Sequence, residues 1–531
     1  MPSIRAKGPQ RSRAPQGRTP RLALVSRRQL LTLVATILGS TVVFLDSTVV
    51  NVALPAISDG LGAGLSGQQW VVEAYMLTLV SLLLVGGSLG DQFGRRRMFV
   101  MGLIGFGATS ALCAVAPTTE VLIAARALQG ITGALLVPGS LAIVAATFEG
   151  EARGKAVGTW TAWTGIATVI GPAGGGALIG FTSWRAIFWV NLPLIAATVA
   201  LTMHSVEESR DPDAFHGIDW AGIALSAAGL AGPVFALIEQ PKHGWGDPLV
   251  WAPLLAGIAC FALFVLREAR ARHPMMDLGL FGIRNFAIAN LTTLSAYAGL
   301  IGGLFFVGLF LQQVAGYSPL EAGLATTPIS IILFVLSPRW GKLASGTGPR
   351  LPMTLGPIVG GLGLLMMLRI DAGGNYLPDV LPAILVFGLG LSATVAPLTA
   401  TVLDSVPEHR VGIASGINNG VSRVAGLLAI AILGAVISAR FAAVAGADIS
   451  GGPLTAKAPD ASTSAFHLGV LIAGILMILG GIASGLGIEN PKRATEAVPA
   501  GGNAVAGECG HSSDCDHASQ QEKAGAAADP A

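Results

Sequence analysis

Long apolar runs, each broken by a short cluster of charged, glycine or proline residues, recur from about Leu30 to Ile488. A helix needs roughly 20 mostly apolar residues to cross a hydrocarbon layer. On that measure the pattern predicts spans near 30–52, 68–89, 98–116, 120–147, 155–180 and 184–204. The polar stretch Val206 to Asp219 follows, then two further spans near 219–238 and 249–266 and a charged connection from Arg267 to Arg284. Six more are expected near 285–311, 319–337, 351–369, 379–403, 411–438 and 466–488. The expected organisation is a disordered basic tail (1–29), a six-helix bundle (30–205), a linker with two extra spans (206–284), a second six-helix bundle (285–488) and a disordered tail (489–531).

Composition agrees with an all-α membrane protein. Hydrophobic residues make up 52% of the chain and charged residues only 12%, with a mean hydropathy of +0.67, well outside the range of soluble domains. The basic N-terminal stretch suggests a signal peptide, but the run after it is about as long as a full span, contains Asp46 and is followed by more spans, so an uncleaved first helix is expected. Of 32 Lys and Arg residues, 25 fall on the side of the two tails and five on the other, with Arg126 and Arg423 inside spans. By the positive-inside rule both termini are then cytoplasmic, in a cytoplasmic membrane. Four cysteines exclude a disulfide scaffold, and Cys113 and Cys260 fall inside spans where packing explains them. The tail cluster Cys509, His511, Cys515 and His517 is a weak candidate for a soft metal. Nothing supports nucleic acid as a partner, no cofactor is implied, and no phosphate-cradling Gly-x-x-x-x-Gly-Lys-Ser/Thr sequence points to ATP as driver.

Between the second and third spans lies Gly87-Ser-Leu-Gly90-Asp91-Gln-Phe-Gly94-Arg95-Arg96-Arg97. Glycines permit a tight turn and close helix approach, Asp91 can pair with an arginine, and the arginines hold the loop at an anionic leaflet. In the fifth span, Gly171-Pro172-Ala-Gly174-Gly175-Gly176 removes a backbone donor and several Cβ atoms, so that helix can bend and pack closely. These glycine motifs are the candidate gating elements.

This loop resembles that of the major facilitator superfamily. Further segments are similar to its fourteen-span drug:proton antiporter family: Leu45-Asp46-Ser-Thr-Val-Val-Asn51-Val-Ala-Leu-Pro55, Leu122 to Gly133 with Arg126, Gln129 and Gly130, Gly165 to Gly176, Ser183-Trp184-Arg185 to Asn191-Leu-Pro193, and Gln312-Gln313 to Tyr317-Ser-Pro319. The resemblance implies two six-helix bundles around a central cavity with two extra helices between them. It also ties Asp46 and Arg126 to coupling, and the fifth-span pattern to export.

Arg126 needs an explanation without any family. A guanidinium stays protonated and costs about 2.5–3.5 kcal/mol at a helix centre, so a buried partner or snorkelling to the interface is expected. Counted inward, Asp46, Glu73 and Arg126 fall at similar depth in the outer third of their spans and are expected to share a water-accessible cavity. An acid whose charge changes with water access can exchange its proton for a cationic or polar substrate, so all three are candidates for proton coupling. Asn51, Gln129, Trp163, Asn418, Asn419 and Arg423 are candidates for the substrate cavity. In the second half, Arg339 to Arg350 echoes the first arginine loop without its acid, and no span carries a clear mid-membrane acid. The reading is a proton-coupled antiporter, not an enzyme. It works as a monomer among membrane lipids and exports small amphipathic organic compounds by alternating access. A same-fold exporter of a metabolite or lipid, a proton-coupled importer and a membrane sensor remain alternatives.

Overall fold

The structure, a computed structural model, describes residues 26–210, 219–271, 276–407, 410–445 and 453–490. Among these residues it is helical throughout, without a strand. The first half comprises α1 (Arg27–Leu61), α2 (Leu65–Phe93), α3 (Arg95–Ala114), α4 (Thr119–Gly133), α5 (Leu136–Thr147), α6 (Gly150–Phe181), α7 (Ala186–Trp189) and α8 (Asn191–Ser205). Two helices, α9 (Trp220–His243) and α10 (Pro248–Glu268), come next. The second half holds α11 (Arg284–Gln313), α12 (Pro319–Thr347), α13 (Arg350–Met366), α14 (Leu381–Asp404), α15 (Val411–Ala445) and α16 (Pro459–Gly487). Among the described residues, thirteen helices, some counted across a short break, are long and apolar enough to cross a membrane, and up to fourteen when α2, bent by 50° between Leu65–Leu83 and Val85–Phe93, counts as one span.

Local chemistry sets the helix ends. Ser26 opens α1 with a capping box: its Oγ accepts from Gln29 N at 3.1 Å, while the Gln29 side chain accepts from Ser26 N at 2.9 Å, which satisfies two otherwise orphaned donors. Ser318 and Glu321 do the same for α12 at 3.2 and 2.8 Å, with Pro319 at the first helical position. Helix α1 runs through Pro55 and stops only at Gly62, whose φ of 70° suits a residue without a Cβ. It therefore ends at Leu61 rather than near residue 52, and Asp46 sits near the middle of its helix instead of in the outer third.

The stretches 93–95, 147–150, 347–350, 404–407 and 410–411 share one face with Ser26, here the basic face; the opposite helix ends form the far face. In the far half a large apolar cluster runs through both halves of the chain. It joins Val49, Leu54 and Val71 to Phe306, Phe310, Ile430 and Phe466. In the basic half the cores are separate, one around Val43, Phe99 and Phe106 and another around Phe286, Met353 and Leu398. The two halves of the chain thus meet at the far face and have separate cores towards the basic one.

The far-face junction depends on missing side chains. A Cβ on Gly176 of α6 would lie 2.4 Å from the Pro319 carbonyl oxygen, and one on Gly323 of α12 would lie 2.3 Å from that of Pro172. Both are far inside contact distance, so the backbones of α6 and α12 cross closely only because these positions are glycine. Gln69 adds a hydrogen bond from its Nε2 to the Ile430 carbonyl of α15 at 2.8 Å.

Candidate coupling site

Asp46 on α1 and Arg126 on α4 meet at 2.5 Å, each side chain 1% exposed. A buried ion pair is stabilising only when its remaining donors and acceptors are satisfied, and here most of them are. Arg126 Nη1 also donates to Gln129 Oε1 at 2.7 Å, and Arg126 Nε to the Val71 carbonyl of α2 at 3.1 Å. The second oxygen of Asp46 accepts from Gln129 Nε2 at 3.1 Å and from Asn191 Nδ2 of α8 at 3.2 Å. Asn191 donates in turn to Ser110 Oγ at 3.1 Å, and Ser110 to the Phe188 carbonyl at 2.9 Å. The guanidinium lies over the Tyr75 ring, 4.1 Å from its centroid, a favourable place for a desolvated cation. Tyr75 interacts electrostatically with Arg423 of α15 as well.

Several sequence expectations need correction against this geometry. The pair is sealed inside the first half in this conformation and does not line a water-accessible pocket. Glu73 is also fully buried but takes no part: both of its oxygens lack a hydrogen-bond partner. The helical period of about 100° per residue gives the reason. Val71 and Tyr75 carry the Arg126 face of α2, and Glu73 falls on the opposite face with Trp70 and Leu77. Similar depth did not mean a shared cavity. Gln129, expected to face substrate, is fully buried and bridges the ion pair. Trp163 is 54% exposed, but the same period puts it opposite Pro172 and therefore away from the second half. Asn418 donates to Asn290 Oδ1 at 3.2 Å and to Thr293 Oγ1 at 2.7 Å, tying α15 to α11 instead of lining a cavity. Asn51 is half-buried and donates to Ser47 O at 3.4 Å. Asn419 is exposed and bonds only its own helix at Ser415. Arg423 is half-buried and forms no ion pair among the described residues.

The arginine loop is more specific than its sequence suggested. Arg95 Nε donates to Asp91 Oδ1 at 2.9 Å. Gly94 adopts φ 110°, and a Cβ there would lie 2.7 Å from the Glu208 carboxylate. Glu208 accepts from Arg96 N at 3.0 Å and Arg97 N at 3.2 Å, supplying the negative charge favoured at the start of α3; Arg96 Nη1 also reaches the Val206 carbonyl at 3.3 Å. The close approach assigned to Gly87 belongs to its neighbour: a Cβ on Gly86 would meet the Ala134 carbonyl at 2.1 Å, whereas Gly87 has ordinary contacts. Gly171 and Gly175 of α6 pack on Thr48 and Val49 of α1, where a Cβ would lie at 2.2 and 2.5 Å. Asn191, Tyr75 and Glu208 were not among the expected site residues. A buried Asn just before Leu-Pro was the one signal that could have flagged the first.

No group of three or more His, Cys, Asp or Glu able to hold a metal occurs among the described residues, and the tail cluster of Cys509, His511, Cys515 and His517 lies outside them.

The model of the Major Facilitator Superfamily matches residues 36–430. The chain belongs to this superfamily. It is similar to the multidrug resistance protein Stp of Mycobacterium tuberculosis, with 37% identity over 79% of this chain and 78% of that protein. The tetracenomycin C resistance and export protein of Streptomyces glaucescens is 34% identical over 77% and 76%. The multidrug efflux pump LfrA of Mycolicibacterium smegmatis is 33% identical over 80% and 84%. Among solved structures, a peptide transporter POT in complex with sulfate superposes with a TM-score of 0.61 at 14% identity, covering 86% of this chain and 95% of that one. An inward-facing, unoccupied bacterial homologue of the lysosomal transporter Spinster gives 0.60 at 16%, covering 87% and 97%. The fold is the facilitator fold, and the chain is a multi-pass membrane transporter of small molecules rather than an enzyme.

Proposed function

We propose that this transporter exports small amphipathic organic compounds, drugs or antibiotics among them, in exchange for protons. The observation that carries the reading is the buried Asp46–Arg126 pair with its Gln129 and Asn191 ligands. An acid sealed beside a guanidinium in one conformation, on a helix that also forms the far-face junction, changes its charge balance when water reaches it. Protonating Asp46 removes the attraction to Arg126 and lets α1, which also takes part in the far-face cluster, shift against α4. Similarity to resistance and export proteins supports the direction and the substrate class.

Both termini are cytoplasmic in this reading, because most of the Lys and Arg residues lie on the basic face. The separate cores on that face then make this the conformation closed to the outside. Gly94, Arg95, Arg96 and Asp91 act with Glu208 as the cytoplasmic hinge. Gly171, Pro172 and Gly175 let α6 pivot on α1.

The test is dye export in inverted vesicles under an imposed proton gradient. Wild type accumulates dye against its gradient and dissipates the proton gradient as it does so, and Asp46→Asn does neither. Proton-driven accumulation of wild-type extent by Asp46→Asn would end the proposal, and movement of dye in the opposite direction would make the protein an importer.

A further inference from the structure

Glu73 is left over by the coupling site. It is 0% exposed, and neither carboxylate oxygen has a partner. Its place on α2 follows from its neighbours. Ser66 and Trp70, two turns and one turn nearer the far face, both donate to Glu239 of α9, at 3.2 and 2.9 Å. The Trp70 ring stands 5.8 Å from that of Phe235. Leu77, one turn towards the basic face, packs with Trp70 and Met76 against Val234 and Ile238 of α9 and Leu427 and Ala431 of α15. Gln69 marks the flank of α2 that faces α15. Glu73 lies between these positions on the helical wheel, and so in the three-helix junction of α2, α9 and α15.

The charged groups around this junction do not serve it. From α9 the titratable group is Glu239, already engaged by Ser66, Trp70 and, at 3.6 Å, Lys242, with His243 at 3.9 Å. From α15 it is Arg423, about one turn towards the basic face, which interacts with Tyr75 on the other flank of α2. Asp46 and Arg126 occupy the opposite face of α2 and hold each other. An ionised carboxylate left without a partner in an apolar interior is too costly to persist, and ionisable groups inside membrane segments mark ion or proton paths.

We propose that Glu73 is a second proton-carrying site, separate from Asp46, and that linker helix α9 controls its access to water. In the conformation seen here it holds its proton as a carboxylic acid, and it releases that proton to water when α9 swings off α2 and opens the junction. The extra helices then have a task, which is to seal an acid at the seam between the two halves. What the proton is used for rests on the antiport reading; the existence of the acid does not.

The test is labelling of the full-length protein with dicyclohexylcarbodiimide, followed by peptide mass spectrometry. The reagent is apolar and takes both the proton and the oxygen of an un-ionised carboxylic acid, the resulting O-acylisourea rearranging to a stable N-acylurea. At neutral pH an ordinary Glu, with a pKa of about 4.3, is ionised. The expected result is an adduct at Glu73 in wild type at neutral pH and none at that position in Glu73→Gln. Loosening the latch with Glu239→Ala, or with Trp70→Phe, admits water and lowers the labelling several-fold. An unlabelled Glu73 in folded wild type overturns the site, and labelling that ignores both latch variants overturns control by α9. If vesicle transport shows no proton dependence while Glu73 is labelled, the antiport reading fails and the acid stands; transport that depends on protons with an unlabelled Glu73 is the reverse.

Discussion

The two halves of the molecule share a fold but handle buried charge in opposite ways. In the first half a carboxylate and a guanidinium face each other at 2.5 Å inside a ring of amide side chains. In the second half the nearest counterpart is neutral. Asn418, Asn290 and Thr293 bind one another between α15 and α11, and Arg423 has no ion pair among the described residues. The difference teaches that the paired charge is concentrated on α1 and α4, while the second half holds a neutral polar cluster that ties α15 to α11. Tyr75, stacked on Arg126, also interacts electrostatically with Arg423.

The strongest way to break that contrast is to remove one member of the ion pair. Arg126→Leu leaves a buried carboxylate unpaired, which costs about 3–5 kcal/mol; we expect a large loss of thermal stability and no uphill export. Adding Asp46→Asn to it restores much of the stability but not the transport, as thermal melts and vesicle assays will show. The junction between the halves is the next target. Gly323→Val places side-chain atoms against the Pro172 carbonyl, and overpacking of this kind costs about 1–3 kcal/mol. The conformation closed at the far face is then disfavoured by roughly 5- to 150-fold, read by cross-linking of cysteine pairs across α6 and α12. Asn418→Ala tests the neutral cluster of the second half: a loss of about 0.5–1.5 kcal/mol in stability with proton coupling retained would sharpen the contrast, whereas loss of coupling would erase it.

The smallest effect is expected at the linker. Asp219, at the start of α9, accepts from Arg267 of α10 at 2.7 Å, and that hydrogen bond holds its carboxyl below the usual Asp value. A lowered folded-state value means that the contribution is complete above the unfolded value of about 3.9 and is lost as pH falls through the folded one. For a partly exposed pair this amounts to about 1 kcal/mol or less. Melting curves of wild type and Asp219→Asn should therefore differ slightly at neutral pH and converge in strong acid.

Much of this was legible in the chain. The spans were, because a bilayer demands long apolar runs whatever the tertiary contacts are. The Asp46–Arg126 pair was legible in outline, because a buried guanidinium requires an anion. What the sequence hid was orientation around each helix. Glu73 and Tyr75 are two residues apart yet face opposite ways, and only the packing of α9 and α15 reveals which side is which. Glu208 was hidden for a different reason: it lies 112 residues from Arg96 in the chain, and no local pattern announces a cap brought in from so far. Gln129 and Asn418 looked like cavity residues because polarity inside a span signals both function and helix association, and hydrogen-bond partners alone separate the two.

The claim on which the account rests is that Asp46 carries an exchangeable proton beside Arg126. The direct measurement is the proton count released by purified, detergent-solubilised protein when a transported compound is added in weakly buffered solution. Wild type should release protons in proportion to binding, and Asp46→Asn should release fewer at the same occupancy. Equal release from both proteins would contradict the account.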